Sequence, residues 1–131
     1  MNEPISSYHA HVYYEPKTRG AALKLHEKLR SILTNGSMPN LLFVGEMRDN
    51  NVGPHPKPQF EVHFLMPALS EVRRLLSAGG LTVLVHPLTQ DDLADHTTLA
   101  QWIGEPLTLD ESVLDRPGRN QGLPRFAKTD V

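Results

Sequence analysis

The chain has 131 residues, 39% of them hydrophobic and 21% charged, the balance of a globular domain large enough to bury a core. A net charge of −2 with no block of like charges argues against nucleic acid or an anionic membrane as partner. The lack of cysteine excludes disulfides, thiolate zinc sites and cysteine nucleophiles. No apolar run approaches the ~20 residues of a membrane span, and the opening "MNEPISS" has no signal-peptide core, so a cytoplasmic protein is expected.

In chain order, "SYHAHVYY" (7–14) alternates with period two and is rich in Tyr and Val, which predicts a first strand. Residues 18–34 follow as a helix, with Ala22, Leu25, Leu29 and Ile32 on one stripe, Thr18 as N-cap and Asn35-Gly36 as the stop. "NGS" at 35–37 matches a glycosylation sequon but reads as a turn. "NLLFVGEM" (40–47) is a second strand, and the proline-broken "RDNNVGPHPKP" (48–58) an irregular loop. "QFEVHFLM" (59–66) alternates again as a third strand. Pro67 opens a second helix with Leu69, Val72 and Leu76 inward, ended by Gly79-Gly80. "LTVLVHP" (81–87) is a fourth strand and 95–103 a short helix. From Glu105 the composition predicts an extended tail, flexible over about 119–131, on a single domain spanning 1–131.

The order β-α-β-β-α-β is that of an α+β, ferredoxin-like fold with antiparallel sheet order 4-1-3-2. Strands one and three are expected to run parallel, with both helices on one face. The other face then needs a cover, either a second copy of the chain or the C-terminal segment, and a homodimer is expected.

This arrangement gathers histidines at one end of the sheet. His86 ends the strand beside strand one, so it neighbours His9 and His11. Glu61 begins the strand on the other flank, His55 lies in the loop before it, and Asp95-His96 follows His86 closely. If Tyr8, Ala10, Val12, Phe60, Val62, Phe64, Leu81, Val83 and Val85 pack under the helices, then His9, His11, Glu61, His63 and His86 share the opposite face. Alternate residues lie roughly 7 Å apart along a strand, and two imidazoles leaning together can reach one ion through ~2.1 Å bonds. A set of His with or without carboxylate suits non-haem Fe(II) or zinc better than magnesium or calcium. Each residue also has a plain structural role: a polar strand face for His9 and His11, a backbone bond for His86, a rigid loop for "GPHPKP", an N-cap for Asp95. His26 and His63 are assigned such roles and left outside the site.

With these residues assembled, the chain resembles the DOPA 4,5-dioxygenase family of small aromatic ring-opening dioxygenases. The segments that carry the resemblance are "YHAHVYY", "GPHPKPQFEVHF", "VLVHPLTQDDLADHT" and "WIGEPLTLD", spanning residues 8 to 110. Gln90 departs from the glycine expected after "HPLT". The resemblance implies a ferredoxin-like dimer with a mononuclear metal site, Fe(II) in the cell and zinc or nickel possible as isolated. It also implies extradiol cleavage of a catechol, such as DOPA or a related acid, by O2. On this reading His9, His11 and His86 are the metal ligands, with Glu61 the substitute in a two-His-one-carboxylate set. His55 or His96 serves as acid or base, Glu61 otherwise orients a ligand, and Tyr13 and Trp102 line an aromatic pocket. Two alternatives are a zinc-dependent hydrolase or isomerase on the same residues, and a non-enzymatic dimeric module that binds a small ligand or metal. A nucleic-acid role is disfavoured, because this face offers histidines and a glutamate instead of stacked aromatics and basic residues.

Overall fold

The structure, a computed structural model, describes residues 7–50, 54–89 and 92–113. Its elements are β1 (Ser7–Tyr13), α1 (Arg19–Asn35), β2 (Leu41–Val44), β3 (Gln59–Leu65), α2 (Leu69–Ser77), β4 (Val83–Pro87), α3 (Asp92–His96) and β5 (Gln101–Ile103). The strands form one sheet in the order β2-β3-β1-β4-β5, which contains the expected 4-1-3-2 order and adds a fifth strand at the β4 edge. None of the described helices is long and apolar enough to cross a membrane.

Local chemistry accounts for most boundaries. Gly36 takes a left-handed conformation (φ 70°) that closes α1, and the Asn35 side chain accepts the Ser37 N–H at 2.8 Å, so the sequon is a turn. Pro67 sits in a single 3-10 turn, Met66–Ala68, that leads into α2. β2 is shorter than expected. It ends at Val44, and the ladder to β3 continues only through Gly45 N–H to Glu61 O (2.8 Å) and a bridge between Arg48 and Gln59. The expected helix over 95–103 is corrected: the helix ends at His96 and the chain re-enters the sheet as β5. Trp102, between Gln101 and Ile103, is half-buried against Leu84 of β4, and a β-strand suits that alternation better than a helix. Residue 90 and the tail over 119–131 lie outside the described residues.

A second correction concerns strand direction. β3 runs antiparallel to β1, with Ser7 opposite Leu65 and Tyr13 opposite Gln59. The connectivity requires this. A helical crossover makes β1 and β2 parallel, and β2 pairs antiparallel with β3, so β3 must oppose β1.

One sheet face carries the apolar core. Ala10, Val12, Phe60, Val62, Phe64, Val83 and Val85 pack with Ala22, Leu25 and Leu29 of α1 and Val72, Leu75 and Leu76 of α2, all buried. At the far end of this face Tyr14 donates to Asp49 (2.7 Å), which also accepts from Arg19 Nε (2.9 Å) and Nη2 (3.1 Å). Burial, reinforced by the bond to the Asp49 carboxylate, raises the Tyr14 phenol, while the bonds from Arg19 and then Tyr14 hold Asp49 below the ordinary carboxylate range. The other face is buried too, within the single chain.

Candidate metal centre

The antiparallel register lays the second face out in rows. Phe43, His63, His9 and His86 stand side by side on β2, β3, β1 and β4. One step along, Glu61, His11, Leu84 and Trp102 form a second row on β3, β1, β4 and β5. Gln59 beside Tyr13 makes a third. His55 enters from the loop before β3 and His96 from the end of α3. Six of the seven histidines thus meet in one cluster, each at most 2% exposed.

Polar groups are costly to bury unless something satisfies them, and here six imidazoles, a carboxylate and an amide are buried together. His9 and His63 stack with ring centroids 3.6 Å apart, and His63 Nε2 lies 2.8 Å from Glu61 Oε2. That oxygen is also 3.9 Å from His9 Nδ1. His9 and His86 have centroids 5.5 Å apart, close enough for both imidazoles to reach one ion. Nitrogens of His9, His11 and His86 lie within 4.8 Å of one another, and so do ligand atoms of His9, Glu61 and His63.

The outer contacts fix how these rings present themselves. The Pro87 carbonyl, 2.8 Å from His86 Nδ1, can only accept, so His86 carries a proton on Nδ1 and turns Nε2 inward. Gln59 Oε1, 3.1 Å from His11 Nδ1, fixes His11 the same way. The two Nε2 atoms face each other at 3.0 Å, a separation that a shared proton or a shared metal ion accounts for. With ligand atoms of His9, His11 and His86 all within 4.8 Å of one another, the residues present fit a shared metal ion.

Around this group stand the remaining polar residues. His55 lies 4.1 Å from His11 between ring centroids, and its Nδ1 is 2.7 Å from the Tyr13 hydroxyl. Tyr13 stacks on Trp102 at 6.0 Å. His96 lies 4.1 Å from His86. Asp95 is not an N-cap: it sits in the last turn of α3, where its carboxylate accepts the Thr89 N–H (2.9 Å) and hydroxyl (2.6 Å). This clasp sets the position of His96 behind His86. Asp110 N–H donates to Pro54 O at 2.8 Å, tying the segment after β5 to the His55 loop.

His9, His11, His55, Glu61, His86 and His96 therefore all converge. His63, assigned a plain structural role from sequence, belongs to the same cluster, as does Gln59. The signal for both was present in the alternation of "QFEVHF", once β3 is run antiparallel to β1. His26 keeps its plain role, with Nε2 2.8 Å from Gly45 O and its ring edge-on to Phe60.

A family model described as the Dopa 4,5-dioxygenase family matches residues 8–113. The DOPA 4,5-dioxygenase of Amanita muscaria is 28% identical over 142 residues, a match covering 97% of this chain and 61% of that protein. The chain thus spans about three fifths of that relative's length. An uncharacterized 21.2 kDa protein of Botryotinia fuckeliana is 30% identical over 134 residues, covering 88% of this chain and 70% of that one. A crystal structure from Nostoc punctiforme, described as a candidate dioxygenase, aligns with a TM-score of 0.72 at 31% identity, covering 86% of this chain and 96% of that one.

Proposed function

The chain belongs to the Dopa 4,5-dioxygenase family, and from that premise we propose that it is an Fe(II)-dependent extradiol dioxygenase opening the ring of a catechol. The observation that carries this reading is the meeting of ligand nitrogens of His9, His11 and His86 within 4.8 Å of one another in a buried cluster. His9, His11 and His86 would hold the ion. Its contribution is to bring a catecholate and O2 together and carry electron density between them. One ring C–C bond next to the hydroxyl-bearing carbons is broken, and both oxygen atoms of O2 enter the product, so no external reductant is consumed.

The chain's own residues do the rest. Gln59 and the Pro87 carbonyl keep His11 and His86 in the tautomer that donates from Nε2. Glu61 fixes His63 and, through the His9–His63 stack, the plane of His9. His55, hydrogen-bonded to the Tyr13 hydroxyl, is the group that takes the catechol proton, and His96 is a second candidate from the other side. Burial of every one of these rings keeps bulk water away from the reacting carbons. The chain acts as one domain in the cytoplasm. The homodimer is proposed from the family resemblance, and a monomeric mass in light scattering would refute it.

The test is anaerobic reconstitution with Fe(II), followed by DOPA or caffeate in air. Visible absorbance from a ring-opened semialdehyde, with one O2 consumed per ring, is the expected result. No O2 uptake across a panel of catechols, with iron verified in the protein, overturns the reading. Turnover with zinc alone on a hydrolysable substrate would replace it with the hydrolytic one.

A further inference from the structure

Beside the histidine cluster, at the β2 edge of the sheet, lies a cavity of about 370 Å³ lined by Arg30, Phe43, Val44, Gly45, Glu46, Arg48 and Glu61. Glu61 belongs to both the cavity and the cluster, because the same carboxylate is 2.8 Å from His63 Nε2. Phe43 joins them a second time, its ring 4.7 Å from that of His63. The volume is near the lower end for small-molecule sites, suited to a single ring with a short side chain.

The lining is graded. Arg30 and Arg48 are exposed, Phe43 and Val44 follow, and Glu61 is only 3% exposed. Arg30 gives Nη1 to the Val44 carbonyl (2.9 Å), which anchors its guanidinium and leaves other N–H groups over. Among the described residues no carboxylate or carbonyl takes the Arg48 side chain. Phe43 is a fixed wall: a Cβ on Gly45 would stand 3.2 Å from its Cε2, so the ring rests against backbone that only glycine leaves bare.

We infer that this cavity takes an aromatic acid ring-first, the acid held at its mouth by Arg48 with Arg30, and the ring passing Phe43 toward Glu61. A carboxylate entering first would meet the buried Glu61 carboxylate, whereas a phenolic hydroxyl there has an acceptor to donate to. At the mouth the polarity is reversed, since a guanidinium pairs with a carboxylate in two parallel hydrogen bonds. The grading orients the ligand as well as binding it. This proposal assigns the residues that orient the ligand and rests on the reading above, but its test does not depend on turnover.

The experiment is calorimetric titration of the metal-loaded protein with 3-(4-hydroxyphenyl)propanoate, which lacks a second hydroxyl, and with its neutral amide. The acid should bind about tenfold more tightly than the amide. Arg48→Gln should cut that preference to about twofold or less, mainly through weaker acid binding, and Arg48→Lys should restore part of it. With a cleavable catecholic acid, Arg48→Gln should raise KM by a larger factor than it lowers kcat. Equal affinity for acid and amide, or a preference untouched by Arg48→Gln, overturns the proposal. A clear acid preference in a protein that opens no ring would leave the binding site standing and remove the dioxygenase reading instead.

Discussion

The two faces of the β1-β3-β4 sheet are equally buried and built from opposite materials. On β3 the alternation sends Phe60, Val62 and Phe64 to one side and Gln59, Glu61 and His63 to the other. The first set gains free energy by leaving water, at roughly 25 cal/mol per Å² of apolar surface. The second set gains none that way and must recover its lost hydration from internal partners. Its partners are one another, as in the 3.0 Å contact between the Nε2 atoms of His11 and His86. Burial without apolarity is thus the mark of the working face, and the helix-covered face is the platform that holds it in register.

That contrast can be broken from either side. The largest effect is expected on the apolar face: Phe60→Ala should cost about 3–5 kcal/mol in urea unfolding, whether or not metal is present. His11→Ala should behave differently. Its cost in the metal-free protein should fall short of that of Phe60→Ala, since an imidazole buries less apolar surface than a phenyl ring. The effect should appear on adding Co(II) or Zn(II). At a hundredfold excess over Kd a metal stabilises the parent protein by about 2.7 kcal/mol, and the variant should show little of this shift in melting temperature. Equal metal-induced stabilisation of both proteins would remove His11 from the ligand set.

The smallest effect tests the polar clasp at the end of the apolar face. Asp49 is held below its ordinary pKa by Arg19 and Tyr14, so its contribution is present above the unfolded-state value near 3.9 and is lost as pH falls through the lower folded-state value. Asp49→Asn should therefore lower the melting midpoint by a constant amount above about pH 5, and the difference should close in more acidic solution. A difference that grows on acidification would contradict the assignment.

Much of this was legible from residues alone, because period-two alternation states which side chains share a face without needing any contact. Strands β1, β3 and β4 follow from it, both long helices follow from apolar spacings of three and four, and the convergence of His9, His11 and His86 follows once the strand order is added. The direction of β3 does not, since alternation is the same read either way. The parallel assumption moved His63 away from His9, and only the crossover connectivity brings it back. β5 was missed for another reason: "QWI" is three residues long, too short for any period to register. The Tyr13–His55 bond and the Asp95–Thr89 clasp join loops to elements across the fold, and no local pattern encodes such pairings.

The position of β1 at the middle of the sheet has a consequence for how this protein can vary over generations. Both neighbouring strands read their register from it, and its two sides serve different ends. Losing one codon between 8 and 12 would turn part of the strand over, pushing histidines under the helices and Ala10 or Val12 into the cluster. A two-codon loss would keep the faces but bring a different side chain opposite His86. The segments joining the elements carry no such penalty where they are exposed. Lineages of this fold should therefore accept insertions in the turns and hold the length of β1 constant.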